Sequence, residues 1–172
     1  MTMIDVYLID TNYAPAPWDK NDKHHDKMRQ FISSNGESRV AISVVTLAEV
    51  EYGLKIAPVV DEGRQAIVRA SMAEYTYVWN ITQHTVRFYS EIRAKLFMKY
   101  APSDSKGKLK TKWPEDLIDR TTAKTLGVQE NDVWIAAQAY ERNACLVTSD
   151  RMDRITSLQL NPPLRILRLE DI

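Results

Sequence analysis

Val6-Tyr7-Leu8-Ile9-Asp10-Thr11-Asn12 is the stretch on which the fold of this chain turns. Residues 4–9 mix β-branched, aromatic and apolar side chains, the pattern of a buried strand. The run stops on an acid. A carboxylate set against an apolar core is costly unless something neutralises it, so Asp10 marks both the end of a strand and a place where chemistry is concentrated.

Working outward, Pro15 and Pro17 predict an extended loop, because each removes a donor and restricts the residue before it. A helix is expected over about residues 20–33, with Met28, Phe31 and Ile32 inward and Gly36 ending it. Val40-Ala41-Ile42 reads as a second strand, followed by a helix from Thr46 to about Ile56 that stops before Pro58. Helical spacing of Ile67, Val68 and Met72 places another helix over residues 61–75. Tyr77-Val78-Trp79-Asn80-Ile81 reads as a third strand. Thr82 then caps a helix to about Tyr100, with Val86, Tyr89, Ile92, Arg93 and Leu96 at helical spacing. Residues 101–113, rich in Lys, Ser, Asp, Gly and Pro, form a loop. Pro114 suits the first position of a helix that Gly127 closes. Residues 131–142 are helical, 144–148 a strand, and 165–169 a final strand after Pro162-Pro163. Strands separated by helices argue for a parallel sheet covered on both faces. With no repeat and no linker, the expectation is a single α/β domain over residues 1–172.

Composition sets limits on function. The chain has 172 residues, enough for one sizeable core, and 44% of them are apolar. Lys plus Arg and Asp plus Glu each number 23, so the formal net charge is zero and any nucleic-acid contact must come from a local patch. Near-neutral charge also favours self-association. The lone Cys145 excludes an internal disulfide framework and reads as a strand residue. The first residues lack a basic segment followed by an apolar one, and no window approaches the roughly 18 apolar residues that span a bilayer. The expectation is a soluble cytoplasmic protein with no membrane contact.

Three further acids occupy places like that of Asp10. Glu49 lies in Ser43-Val44-Val45-Thr46-Leu47-Ala48-Glu49, expected in the first turn of a helix after the second strand. Asp132 opens the helix of Asn131-Asp132-Val133-Trp134-Ile135-Ala136-Ala137. Asp150 follows the strand of Leu146-Val147-Thr148-Ser149-Asp150. Ligands of open parallel sheets bind beyond the carboxyl ends of the strands. Four carboxylates at that edge are what a one- or two-metal site requires, and hard oxygen donors suit Mg²⁺ or Mn²⁺. Each acid alone has a blander role. Thr46 and Glu49 fit a capping box, Asp132 fits helix N-terminal donors, and Asp10 and Asp150 fit strand-ending turns.

The four segments together resemble a PIN domain of the VapC toxin type. Ile9-Asp10-Thr11-Asn12, Val45-Thr46-Leu47-Ala48-Glu49 with Gly53 beyond it, Asn131 to Ala137, and Leu146 to Asp150 carry the resemblance, which runs from Tyr7 to about Asp153. It implies a three-layer α/β/α fold with a central, mostly parallel sheet flanked by helices. It also implies an endoribonuclease dependent on Mg²⁺ or Mn²⁺, a homodimer, an RNA substrate and an inhibitory cognate antitoxin. On that resemblance Asp10 and Asp132 are direct ligands of the principal metal, Glu49 holds it directly or through water, and Asp150 completes the site or binds a second ion. Thr11, Asn12 and Thr148 would support these carboxylates or metal waters, and a metal-activated water would attack phosphorus. Two departures stand out: Tyr13-Ala14-Pro15-Ala16-Pro17-Trp18 intervenes before the first helix, and the Lys-rich loop over about 101–113 is an insertion.

Other features have two readings. Lys106, Lys108, Lys110, Lys112 and Trp113 could follow an RNA backbone with the indole stacked on a base; equally, they could be a solvated loop with Trp113 anchoring the next helix. His24 and His25 lack partners at metal-ligand spacing and read as surface residues. Tyr75, Tyr77, Trp79 and Tyr89 read as core, or else as dimer contacts. Glu115, Asp116 and Asp119 would complement a helix dipole. The competing functions are a non-cleaving RNA- or antitoxin-binding module, a housekeeping RNA-processing nuclease, and a phosphoaspartate protein. Against the last, Asn12 stands where a second Asp would, and no Lys ends the 146–148 strand.

Overall fold

The computed structural model describes residues 5–110, 113–119, 121–150 and 152–171, excepting the Ser38 side chain. The chain divides into two compact units. The first comprises residues 1–80, 143–150 and 165–172, and the second residues 81–142 and 151–164.

The first unit holds a five-stranded sheet of β1 (Tyr7–Ile9), β2 (Val40–Ser43), β3 (Tyr77–Trp79), β4 (Cys145–Val147) and β5 (Arg165–Leu167), in the order β3-β2-β1-β4-β5. Every pairing is parallel, with Ile9 beside Ile42 on one flank and Val147 on the other. The fold is therefore of the expected α/β class. On the central strand Leu8 and Ile9 are fully buried. Around Ile9 pack Met28 and Phe31 of α1 (His25–Asn35) and Met72 of α3 (Glu62–Ala73), together with Tyr75, Val147 and Leu169. Leu47 and Val50 of α2 (Val44–Lys55) lie against the same cluster.

The first helix starts later than its periodicity predicts. The Asp19 and Asp22 carboxylates accept the Asn21 and His24 amides at 2.9 and 2.7 Å, holding that stretch in turns that compete with helix. Nor is the Pro15–Pro17 region an extended loop. It winds through successive turns after Asp10, and Tyr13, Ala14 and Ala16 are fully buried in the core. His24 and His25 are half-buried rather than on the surface. His24 meets the Tyr13 ring edge-on, and His25 Nδ1 lies 3.0 Å from the Ala16 carbonyl. Of the aromatic residues expected in the core, Tyr75 and Tyr89 are buried and Trp79 is half-buried. Tyr75 is buried and donates to the Ala14 carbonyl at 2.9 Å, whereas Tyr77 on edge strand β3 is exposed.

The second unit is built on α4 (Gln83–Tyr100) and α5 (Glu130–Glu141). Thr82 caps α4 as expected, its hydroxyl accepting the His84 amide at 3.2 Å. Tyr89, Ile92, Leu96 and Tyr100 recur on one buried stripe of α4. Phe88 meets Tyr140 edge-on and Tyr89 stacks on Trp134, joining the two helices. A short α6 (Asp153–Thr156) completes the unit.

The helix expected from Pro114 to Gly127 is not there. Pro114–Asp116 forms one 3₁₀ turn, and the chain then loops back so that Ile118 bridges Thr125. The Asp119 carboxylate accepts the Thr121 and Thr122 amides at 2.8 and 3.1 Å, which diverts those donors from a helical ladder. Ala123 and Gly127, both at positive φ, finish the turn. Glu115 and Asp119 thus have particular partners, the Glu130 amide and Arg154 as well as the Asp119 turn, rather than a helix dipole. Among the described residues no helix is long and apolar enough to cross a membrane.

Candidate functional site

Because β1, β2 and β4 are adjacent and parallel, their carboxyl ends lie along one edge of the first unit. Ladder bonds continue just past two of them. The Asp10 amide donates to the Val147 carbonyl at 2.9 Å and the Thr148 amide to the Leu167 carbonyl at 3.1 Å. Asp10 is thereby fixed at the sheet edge with only 3% of its surface exposed.

Two donors hold its carboxylate. Oδ1 accepts the Thr11 amide at 2.8 Å and Oδ2 accepts the Thr148 hydroxyl at 2.6 Å. The same hydroxyl accepts the Asp150 amide at 3.0 Å, so one fully buried threonine joins Asp10 to the turn that carries Asp150. Burial drives the Asp10 carboxyl up to about 6; the Thr148 and Thr11 hydrogen bonds oppose the rise, and the charges of Asp150 and Glu49 add to it. Three carboxylates of the first unit are thus close enough to feel one another.

Glu49 arrives there differently from the expected route. Ser43 is the N-cap of α2, its hydroxyl accepting the Val45 amide at 2.9 Å, so the helix starts at Val44. Glu49 consequently lies in the second helical turn, and the capping box with Thr46 does not form. Thr46 is fully buried, and its hydroxyl has no hydrogen-bond partner among the described residues. The Thr11 hydroxyl donates instead to the Glu49 carboxylate. Asn12 is exposed on the turn that follows.

Asp132 belongs to the second unit. It is the third residue of α5, and its Oδ2 accepts the Gln129 amide at 2.7 Å in a capping box. One oxygen therefore does what a helix-starting acid ordinarily does. Lys106, Lys108, Lys110 and Trp113 are exposed in the same unit, and Lys112 lies outside the described residues. Sequence reasoning missed the ring of contacts next to Asp132, where Arg93 bonds Glu130 and Tyr89 and covers Trp113. The four-residue spacing of Tyr89 and Arg93 on α4 was the signal for it.

Three hard-oxygen donors sharing a partly buried edge have the chemistry that a divalent cation would relieve. They do not form a ready coordination sphere. Among the described residues, no group of three or more His, Cys, Asp or Glu side chains is placed to hold a metal ion.

Residues 7–156 match the PIN domain family, and the chain belongs to that family. Solved structures share its fold. VapBC2 from Rickettsia felis, bound to a DNA fragment from its promoter, superposes with a TM-score of 0.63 at 20% identity, over 95% of this chain and 98% of that one. DNA-bound VapBC from Salmonella typhimurium gives 0.64 at 21% identity, over 96% and 98%. VapBC-5 from Mycobacterium tuberculosis, a member of the VapBC family of toxin–antitoxin systems, gives 0.54 at 20% identity, over 95% and 98%. No curated protein matches the chain.

Proposed function

We propose that this protein is an endoribonuclease dependent on Mg²⁺ or Mn²⁺, and the toxin of a type II toxin–antitoxin pair. The observation that carries the reading is Asp10, a buried carboxyl held at the sheet edge by Thr11 and Thr148 and charged against Glu49 and Asp150. A group so placed is costly without a cation, and functional sites are where such costs concentrate. Membership of the PIN family and the fold shared with VapBC structures point the same way.

In this reading, which follows the family resemblance, Asp10 and Asp132 would hold the principal cation, and Glu49 and Asp150 would complete its surroundings. When bound, the cation supplies Lewis acidity toward the scissile phosphate and its attacking water. The chain's own residues do the positioning. Thr148 fixes the rotamer of Asp10, the Asp150 amide fixes the Thr148 hydroxyl, and Thr11 holds Asp10 through its amide and Glu49 through its hydroxyl. Water would add to phosphorus as the ester P–O bond breaks, the proton that the water gives up balancing the one taken by the departing oxygen. No side-chain nucleophile is required. An antitoxin protein is the proposed partner, on the analogy of the VapBC assemblies, and the working form is a cytoplasmic homodimer.

The test is incubation of the purified protein with structured RNA and Mg²⁺ or Mn²⁺. Cleavage should appear with either metal and vanish with EDTA, with Asp10→Asn and with Asp132→Asn. Cleavage that persists through both chelation and substitution would overturn the chemistry.

A further inference from the structure

The second unit contains a stack of planar groups with one end open to solvent. Trp134 of α5 lies against Tyr89 of α4, ring centroids 3.7 Å apart and planes 11° from parallel. The Arg93 guanidinium sits 5.6 Å from the Tyr89 centroid and 4.8 Å from that of Trp113. Trp113 ends the series with 57% of its surface exposed.

Each inner member is held from the side. Arg93 pairs with the Glu130 carboxylate at 3.0 Å, and the Tyr89 hydroxyl bonds both Arg93 and Glu130. The Glu130 amide in turn donates to Glu115 at 2.8 Å. The backbone of Trp113 is anchored independently. Pro114 and Leu117 are buried, and the Trp113 carbonyl accepts the Asp116 amide at 3.2 Å. Burial of Pro114 and Leu117 thus secures this turn, and the indole is not needed as its plug. An exposed indole on a fixed backbone, one face covered by a guanidinium, has the form of a stacking platform.

The neighbouring loop adds charge. Ser103 bridges Leu109, and the Asp104 carboxylate accepts the Lys106 and Lys108 amides, each at 2.9 Å, so residues 103–110 form a closed turn around Gly107. Lys106, Lys108 and Lys110 all reach solvent from it, in a chain whose overall charge is zero. An exposed aromatic face with lysines a few residues away in the chain matches single-stranded nucleic acid, whose unstacked bases lie on rings while its phosphates meet ammonium groups.

We propose that Trp113, backed by Arg93, is a platform on which one unpaired base of a single-stranded RNA stacks, with Lys106, Lys108 and Lys110 meeting the adjoining phosphates. The choice of RNA over other single strands rests on the proposed ribonuclease activity. Trp113 is a positioning residue for the substrate, at the end of the Lys-rich stretch over about 101–113.

The experiment measures anisotropy of a fluorescein-labelled single-stranded RNA with the full chain in EDTA, so that binding is read without cleavage. Trp113→Ala should weaken binding about 5- to 150-fold, the range of one lost base stack, while Trp113→Phe retains most of the affinity. A strand made abasic throughout should bind the native protein and Trp113→Ala alike. Replacing Lys106, Lys108 and Lys110 together by Gln should flatten the dependence of log affinity on log salt. Equal affinity of native and Trp113→Ala protein, an equal loss on the abasic strand, or no single-strand binding by the native chain would each overturn the platform. The nuclease reading is judged separately by Asp10→Asn in the cleavage assay. Either can fail while the other stands.

Discussion

The Thr148 hydroxyl donates to Asp10 Oδ2 at 2.6 Å and accepts the Asp150 amide at 3.0 Å, so Asp10 and Asp150, far apart in the chain, meet through one oxygen. A threonine hydroxyl has one proton to give and lone pairs to share. With its proton committed to Asp10 and a lone pair to Asp150, it sets the direction of both the first acid and the turn bearing the last. The edge of the sheet is ordered by hydroxyls as much as by carboxylates.

Asp10→Asn should stabilise the cation-free protein while abolishing cleavage. The folded carboxyl titrates near 6 against an ordinary value of 3.8, which corresponds to about 3 kcal/mol held against the ionised form at neutral pH. Between those values the folded state binds more protons than the unfolded, so native stability falls as pH climbs through that window. The substituted protein should lack that fall. Urea unfolding in EDTA at pH 4 and pH 7 measures both; a destabilised Asp10→Asn protein at pH 7 contradicts the account.

Thr148→Val keeps the volume and removes the hydroxyl. Asp10 then loses a hydrogen bond that favours its charged form, so its pKa rises further and the acid limb of the pH–rate profile moves to higher pH. Activity at neutral pH should drop about 10- to 100-fold, as when a partner of a metal-binding carboxylate is removed. A profile unchanged in shape and height would show that the hydroxyl plays no part.

Asp119 offers a pH-dependent contact in the second unit. The Thr121 and Thr122 amides, with Arg154 beside them, hold its carboxyl below the usual range. A depressed folded value means stabilisation present above the unfolded carboxylate pKa of about 3.9 and lost as pH falls through the folded one. The protection of the Thr121 and Thr122 amides against hydrogen exchange, taken relative to the intrinsic rate at each pH, should therefore fall in acid, and at neutral pH in Asp119→Ala. Protection indifferent to both changes would refute it.

Tyr75→Phe tests the turns that replace the expected loop. The hydroxyl donates to the Ala14 carbonyl at 2.9 Å inside the core, and deleting it leaves a buried acceptor unpaired. Thermal or urea unfolding should show a loss of about 1–2 kcal/mol. No change would mean that water reaches Ala14.

Element order was readable where local pattern and burial agree. Residues 7–9 and 145–147 are apolar because they are strands buried in a parallel sheet, and 83–100 carries both a cap and a helical stripe. Reading failed where a side chain diverted the backbone. Asp119 took amides from an expected helix, Asp22 delayed the start of α1, and Ser43 capped α2 three residues before Thr46, moving Glu49 a turn along. Each rival was a short polar side chain that captured a nearby backbone amide, and local spacing cannot rank such choices.

Taken alone, the amino-acid order determined the α/β class, the parallel alternation of strands and helices, and the acids at the ends of apolar runs. These follow from periodicity and from the cost of burying charge, both carried by residues near one another in the chain. Tertiary structure alone decided that Thr11 serves Glu49, that Thr148 joins Asp10 to Asp150, and that Arg93 backs an exposed Trp113. Such pairings depend on strand register and helix packing, which bring together groups that chain distance keeps apart.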